Sequence, residues 1–218
     1  MKFYLASTSP ARLALLRSSG IEPVLLPPHV DEDAVIAKAE ASLGYALNPT
    51  DYVQLLARAK AEAVLPSPHD LDAHEEDIEG LVLGGDSSFV LDGVIYGKPH
   101  TAENARKRWR EQRGKTGTLY SGHWLIDYSG SRVRGETGFV TSTEVTFGSD
   151  ITDSEIDAYI ATGEPLNVAG AFTIDSLGAA FITKIVGEPS TVVGLSLPAL
   201  RGMVRELGYT WPDLWNRV

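Results

Sequence analysis

Leu5-Ala6-Ser7-Thr8-Ser9-Pro10-Ala11-Arg12-Leu13-Ala14-Leu15-Leu16 is the stretch from which the fold is read. Phe3 to Leu5 predicts a short apolar strand that runs almost directly into a helix. Ser9 is a natural N-cap, because its hydroxyl can satisfy a backbone N–H of the first turn. Pro10 suits the first helical position, where its missing N–H costs nothing. Leu13, Ala14 and Leu16 then begin an apolar face. A helix start with unpaired N–H groups, two serine hydroxyls (Ser7 and Ser9) and Arg12 one turn in is a good seat for a phosphate. Strand, serine cap and helix also open many α/β proteins, so the stretch needs company before it means chemistry.

Working outward, charge stands where charge is not expected. Asp31, Glu32 and Asp33 follow a loop containing Pro27 and Pro28. A helical pattern from Asp51 to Leu65 puts Val53, Leu56 and Val64 on one face, and Lys60 falls on that face too. Lysines occupy apolar stripes when they snorkel or have an anionic partner. Leu81-Val82-Leu83-Gly84-Gly85-Asp86 reads as an apolar strand stopping at a glycine pair and an aspartate, with Tyr96-Gly97-Lys98-Pro99 a short loop later. In an open α/β sheet, ligands gather at the carboxyl ends of strands.

Composition bounds the class. The 218 residues suffice for one large domain with a real core, and 43% hydrophobic with 22% charged residues is ordinary for a globular protein. Absence of cysteine removes disulfides, thiolate metal sites and cysteine nucleophiles together. No basic stretch followed by an apolar segment opens the chain and no apolar run reaches spanning length, so the expectation is a cytoplasmic protein with no membrane partner. A net charge of −10 argues against nucleic acid as a partner. The basic run Arg106-Lys107-Arg108-Trp109-Arg110-Glu111-Gln112-Arg113-Gly114-Lys115 reads as a solvated helix face, with nucleic-acid contact the alternative.

Along the rest of the chain, a strand is expected near Val24 to Leu26. Residues 66–80 read as an acidic solvated loop, an acidic metal cluster being the alternative. Strands at 81–85 and 89–91 are joined to the next by an Asp92-Gly93 turn. A helix at 101–113, a strand ending near Tyr120 and an antiparallel pair or triple within 123–148 follow. Thr152-Asp153-Ser154-Glu155 matches a capping box ahead of a helix that Gly163 ends. Ala179 to Val186 reads as a strand and Pro198 to Leu207 as a helix. The pattern by itself supports α/β, or α+β in part.

The ordered set of motifs resembles the Maf family of nucleoside triphosphate pyrophosphatases. The matching pieces are Leu-Ala-Ser-x-Ser-Pro-x-Arg at 5–12, Asp-Glu at 31–32, Ala-x-x-Lys-Ala at 57–61, Gly-x-Asp-Ser at 84–87 and Gly-Lys-Pro at 97–99. Tyr120-Ser121-Gly122-His123, Thr143 to Phe147, Tyr159 to Pro165, Ala169-Gly170 and Val192 to Leu195 extend the likeness along nearly the whole chain. The resemblance implies a single domain over 1–218, built as two lobes around an elongated mixed sheet of inosine-triphosphatase type with the active cleft between them. It implies hydrolysis of a nucleoside triphosphate to the monophosphate and pyrophosphate, as housecleaning of noncanonical or excess nucleotides. A homodimer is compatible with it. The alternatives are an inosine-triphosphatase-type hydrolase and a non-catalytic nucleotide-binding regulator of cell division.

A triphosphate carries about four negative charges, so its binder must offset them and present a base or a metal. Arg12, Lys60 and Lys98 are the candidate cations, with Ser7 and Ser9 as hydroxyl donors. Glu32 and Asp86 are the candidate metal ligands. No close-spaced histidine pair exists, so the expected cofactor is an oxygen-ligated divalent cation, Mg²⁺ or Mn²⁺. The resemblance makes Asp86 the general base. Direct metal coordination by Asp86 and a plain turn aspartate stay open, as do a snorkelling Lys60 and a merely solvated Glu32 in its loop. Base choice is assigned by the resemblance to the positions of Ala11, Ser87 and Asp175, where the pyrimidine-specific branch carries arginine, threonine and glutamine. A carboxylate at 175 only accepts hydrogen bonds, which suits the adjacent N–H donors of guanine. A surface turn residue is the other reading of Asp175.

Overall fold

The computed structural model describes residues 1–66 and 78–217. The acidic stretch around 67–77, read as a solvated loop, lies outside the described residues. The chain forms a mixed α/β architecture. Its elements begin β1 (Phe3–Ala6), α1 (Pro10–Ser18), β2 (Val24–Leu25), α2 (Glu32–Leu43) and α3 (Pro49–Ala63). They continue with β3 (Gly80–Leu91), β4 (Val94–Tyr96), α4 (Ala102–Gln112), β5 (Thr116–Tyr128), β6 (Val133–Phe147) and α5 (Asp153–Ala161). The last are β7 (Ile182–Val186), α6 (Pro189–Val193) and α7 (Leu197–Glu206), with short 3₁₀ turns at Glu164–Asn167, Ala169–Ala171, Leu177–Phe181 and Trp211–Leu214. Among the described residues seven strands hydrogen-bond in the order β2-β1-β3-β5-β6-β7, with β4 on β3. β1 is parallel to β2 and β3, whereas β3–β4 and β6–β7 are antiparallel.

Two compact units divide the chain: Met1–Asp86 with Gly122–Val140 and Leu197–Val218, and Ser87–Ser121 with Thr141–Ser196. In the first, β1 is buried at every residue, as expected of a parallel strand covered on both faces. Tyr4, Ala6, Ala61, Val82, Ile126 and Tyr128 form one of its apolar clusters. In the second, Trp109 stands edge-on to Phe147, Tyr159 and Phe181, and Phe89, Leu119, Val145 and Phe172 belong to the same core.

Local chemistry sets several boundaries where the sequence puts them. Ser9 accepts from the Arg12 N–H and Pro10 opens α1. Thr152 and Glu155 form the reciprocal capping box of α5. Asp92 and Gly93 both take positive φ, 50° and 79°, the primed turn that matches strand twist in the β3–β4 hairpin.

Four boundaries differ. β3 does not stop at Gly84-Gly85-Asp86 but runs on to Leu91, so Asp86 sits within a strand and is no turn residue. β5 likewise passes through Ser121-Gly122 to Tyr128. Glu32 is not in a loop: Asp31 caps α2 by accepting from the Ala34 N–H at 3.0 Å, and Glu32 is the first helical residue. No residue of α2 is fully buried, Val35, Ile36 and Ala39 being half-buried, so only a faint apolar stripe marks it as a helix. Residues 177–181 form a 3₁₀ turn, leaving β7 to begin at Ile182.

The glycines explain the first two differences. A Cβ on Gly84 would lie 2.1 Å from the Ala57 carbonyl oxygen, and one on Gly122 would lie 2.4 Å from that of Val53. Val53 and Ala57 are one turn apart on α3, so the helix rests directly on bare backbone of two strands. In this chain Gly-Gly and Ser-Gly are points of close approach, not breaks.

Candidate active site

α3 starts at Asn48, whose side chain accepts from the Asp51 N–H at 2.9 Å, with Pro49 at the first position. Val53, Leu56, Ala57 and Ala61 are its buried face. Lys60, in the last turn, extends from the margin of that face toward β3. Its ammonium donates to Asp86 Oδ1 and reaches Glu32 Oε1, both at 2.7 Å. One cation therefore bridges a carboxylate from a central strand and a carboxylate from the first turn of α2. The Lys60 and Asp86 side chains are only 12% and 11% exposed, against 47% for Glu32.

Arg12 brings the α1 end to the same cluster. It is buried, its Nη1 donates to Ser7 Oγ at 3.2 Å, and Ser7 Oγ also accepts from the Ser9 N–H at 3.1 Å. Gly85 clears the space for the guanidinium: a Cβ there would lie 3.1 Å from Arg12 Nε. Burial lowers the Arg12 pKa, and the charges of Asp86 and Glu32 oppose that shift. Burial also raises the Asp86 pKa, and Lys60 and Arg12 counter it only in part. A carboxylate pushed up in this way is a better proton acceptor than a solvated one.

Of the residues singled out from the sequence, the first unit thus gathers Ser7, Ser9, Arg12, Glu32, Lys60 and Asp86. Ala11 is half-buried on α1. Ser87, Lys98 and Asp175 belong to the second unit. Ser87 Oγ pairs with Ser121 Oγ at 2.8 Å, and Ser121 donates to the Thr191 carbonyl at 2.8 Å. Ser121 has one proton, so Ser87 is the donor of that pair. Lys98 and Asp175 are exposed.

Three further residues have no counterpart in the sequence reading. Tyr52 lies two turns before Lys60 on α3. Burial raises its hydroxyl pKa, with Asp86 and Glu32 adding to the shift. Its spacing of eight residues from Lys60 was a usable signal. Glu164 and Glu188 are nodes of hydrogen bonding in the second unit. Glu188 caps α6 through the N–H groups of Ser190 and Thr191. The partners of Glu164 lie 5 to 14 residues away along irregular backbone, where periodicity is silent, whereas Glu188 is a local cap that Pro189 at the first helical position could have signalled.

Asp86 and Glu32 supply the carboxylate oxygens that a hard divalent cation takes, and both now face the Lys60 ammonium, with which such an ion would have to share them. Among the described residues no group of three or more His, Cys, Asp or Glu could hold a metal by itself. Such an ion would complete its shell from water and phosphate oxygens, as Mg²⁺ does. Other prominent features lie elsewhere. A hollow of about 650 Å³ opens at the far end of α1 against Arg17, Ser19, Arg201, Trp211 and Trp215, and neither Arg12, Glu32, Lys60 nor Asp86 lines it. The basic run on α4 is engaged within its own unit: Arg106 pairs with Asp157, Arg110 and Arg113 with Asp153, and Lys115 with Asp92. Trp109 points into the core. No described helix is long and apolar enough to cross a membrane.

A family model described as Maf-like protein matches residues 2–207. The chain belongs to the Maf-like family. Within it, the chain is 60% identical over 218 residues to a nucleoside triphosphate pyrophosphatase of Leifsonia xyli subsp. xyli, covering 100% of this chain and 98% of that protein. Nucleoside triphosphate pyrophosphatases of Corynebacterium diphtheriae (44% identical, 99% of each chain) and Thermosynechococcus vestitus (46%, 99% and 98%) match equally completely. Among solved structures, the Staphylococcus aureus Ham1 protein aligns with 94% of this chain and 99% of its own at 10% identity and a TM-score of 0.46, too distant to add to the assignment.

Proposed function

We propose that this chain is a nucleoside triphosphate pyrophosphatase, releasing pyrophosphate and leaving the nucleoside monophosphate. Full-length relatives of that name support the reaction. The observation that carries the site is Lys60 bridging Asp86 and Glu32 at 2.7 Å beside the buried Arg12. In this reading Asp86 accepts the proton of a water attacking the α-phosphorus. The new O–P bond forms as the α–β anhydride bond breaks, and pyrophosphate leaves. Arg12 and the hydroxyls of Ser7 and Ser9 hold phosphate oxygens, with Lys98 a further cation for the leaving pyrophosphate. Lys60 holds the two carboxylates together and gains phosphate contacts once substrate shares the cluster. A divalent cation held by Asp86 and Glu32, Mg²⁺ or Mn²⁺, would offset charge on the phosphate chain. Housecleaning of unwanted nucleotides in the cytoplasm is the role that fits this chemistry, and in this reading Asp175 meets the base, with Ala11 and Ser87 the other positions that bear on base choice.

A panel of nucleoside triphosphates, assayed with and without Mg²⁺ or Mn²⁺ and scored for pyrophosphate against orthophosphate, tests the reading. Metal-dependent pyrophosphate release that Asp86→Asn reduces by more than tenfold is the expected result. Orthophosphate as the product, or an Asp86→Asn variant retaining more than a tenth of turnover, refutes it.

A further inference from the structure

Asp175 is carried by a loop whose two ends meet on a single oxygen atom. Glu164 Oε1 accepts from the Tyr159 hydroxyl at 2.8 Å, from the Thr173 hydroxyl and from the Gly178 N–H at 3.0 Å, while Oε2 accepts from the Leu177 N–H at 3.2 Å. Thr173 and Gly178 are thereby closed on one carboxylate, with Asp175 and Ser176 exposed between them. The base of the loop is fixed from two more sides. A Cβ on Gly178 would lie 2.6 Å from Tyr159 Oη and 2.7 Å from the Thr173 carbonyl, so only glycine lets the strands of the loop close. Just upstream, Trp109 Nε1 and Gln112 Nε2 donate to the carbonyls of Ala171 and Gly170 at 2.7 and 2.6 Å. From residue 170 to 178 the backbone is tied on both sides of an apex at which Asp175 is exposed and the side chain of Ser176 is bonded to Glu164.

A solvated glutamate does not collect five donors, Ser176 included, by chance, and a loop restrained at both ends loses little entropy when its apex meets a ligand. We propose that Glu164 is a positioning residue for base recognition, holding loop 173–178 in the conformation that presents Asp175 to the nucleobase. The proposal rests on the reading of Asp175 as the residue that meets the base.

Glu164→Gln keeps an acceptor for Tyr159 and Thr173 but sets an amide NH₂ against the Leu177 N–H. Thr173→Val cuts one tie with little change of shape. Steady-state kinetics on guanosine and uridine triphosphates, with Asp175→Asn alongside, separates the possibilities. Glu164→Gln is expected to raise KM for the preferred nucleotide about tenfold and change kcat less than about twofold. It should also pull the ratio of the two kcat/KM values toward one, with Thr173→Val moving the same way by less. Amide exchange at Leu177 and Gly178 should quicken at least tenfold while the α4 and α5 amides stay protected. If Asp175→Asn shifts the ratio and neither Glu164→Gln nor Thr173→Val does, the positioning role is overturned and the base reading stands. If none of the three shifts it, the base reading falls and takes the proposal with it.

Discussion

Replacing Gly84 by alanine probes the seat of α3 with a single methyl group. The new Cβ would stand 2.1 Å from the Ala57 carbonyl oxygen, 2.7 Å from the Ala61 N–H nitrogen and 2.9 Å from the Ala61 Cβ. Two of these are backbone atoms, and no rotamer change moves them. Relaxing the shortest contact to an ordinary 3.4 Å requires the helix to retreat by about 1.3 Å. Overpacking of this kind costs about 1–3 kcal/mol, and the value expected here is about 3, because backbone must move. The retreat also draws Lys60 away from Asp86, now 2.7 Å away. Misplacement by about 1 Å can cost about a hundredfold in rate, but the flexible lysine stem absorbs part of it, so the expected loss in kcat/KM is about 10- to 100-fold. Gly202 is the control. It lies within α7 with nothing inside 4 Å of a built Cβ, so Gly202→Ala should stabilise by up to about 1 kcal/mol. Urea unfolding and pyrophosphate release measured on both variants decide the matter. Gly84→Ala within 0.5 kcal/mol and twofold of the parent would refute the close-approach reasoning.

Lys60→Ala removes the shared cation of a carboxylate that is 7% exposed, and should destabilise by about 2–3 kcal/mol, less than for a fully buried pair because Glu32 remains half in solvent. A loss below about 1 kcal/mol in denaturant unfolding would mean that Lys60 merely snorkels. Glu164 is partly buried, which pushes its carboxyl up, but the Thr173, Ser176 and Tyr159 hydroxyls and the Gly178 N–H outweigh this and hold it at about 2, below the ordinary 4.5. A depressed folded pKa stabilises when the group is ionised, so the contribution is whole above pH 4.5 and vanishes as pH falls to about 2. Its ceiling is about 3 kcal/mol, reduced by solvent screening to about 1–2. Melting temperatures of the parent and Glu164→Gln should therefore converge through that window, and a gap that is constant with pH would contradict it.

What the sequence discloses and what it hides follow one physical division. Caps and turns are legible because they are local: Ser9, Thr152 with Glu155, and Asp92-Gly93 act on backbone within three residues. Lys60 is legible as an ill-placed charge, and the structure supplies the reason in Asp86 and Glu32. The glycines are where reading fails. Gly84 and Gly122 look like strand ends, because what they accommodate is the carbonyls of α3, remote in sequence. α2 is missed since none of its residues is fully buried and its apolar stripe is faint, and Glu164 since its partners lie 5 to 14 residues away along irregular backbone.

The Lys60 bridge also bears on how substrate and protein find one another. Arg12 and Lys60 are matched one for one by Glu32 and Asp86, so the cluster at rest is close to neutral, within a chain whose formal charge is −10. The arginines of α4 do not compensate, since most already face aspartates. A free polyanion approaching such a molecule feels no long-range pull and a weak push. Raising the ionic strength screens that push, so kcat/KM should stay level or climb with salt, the reverse of an enzyme that draws its nucleotide in through a positive field.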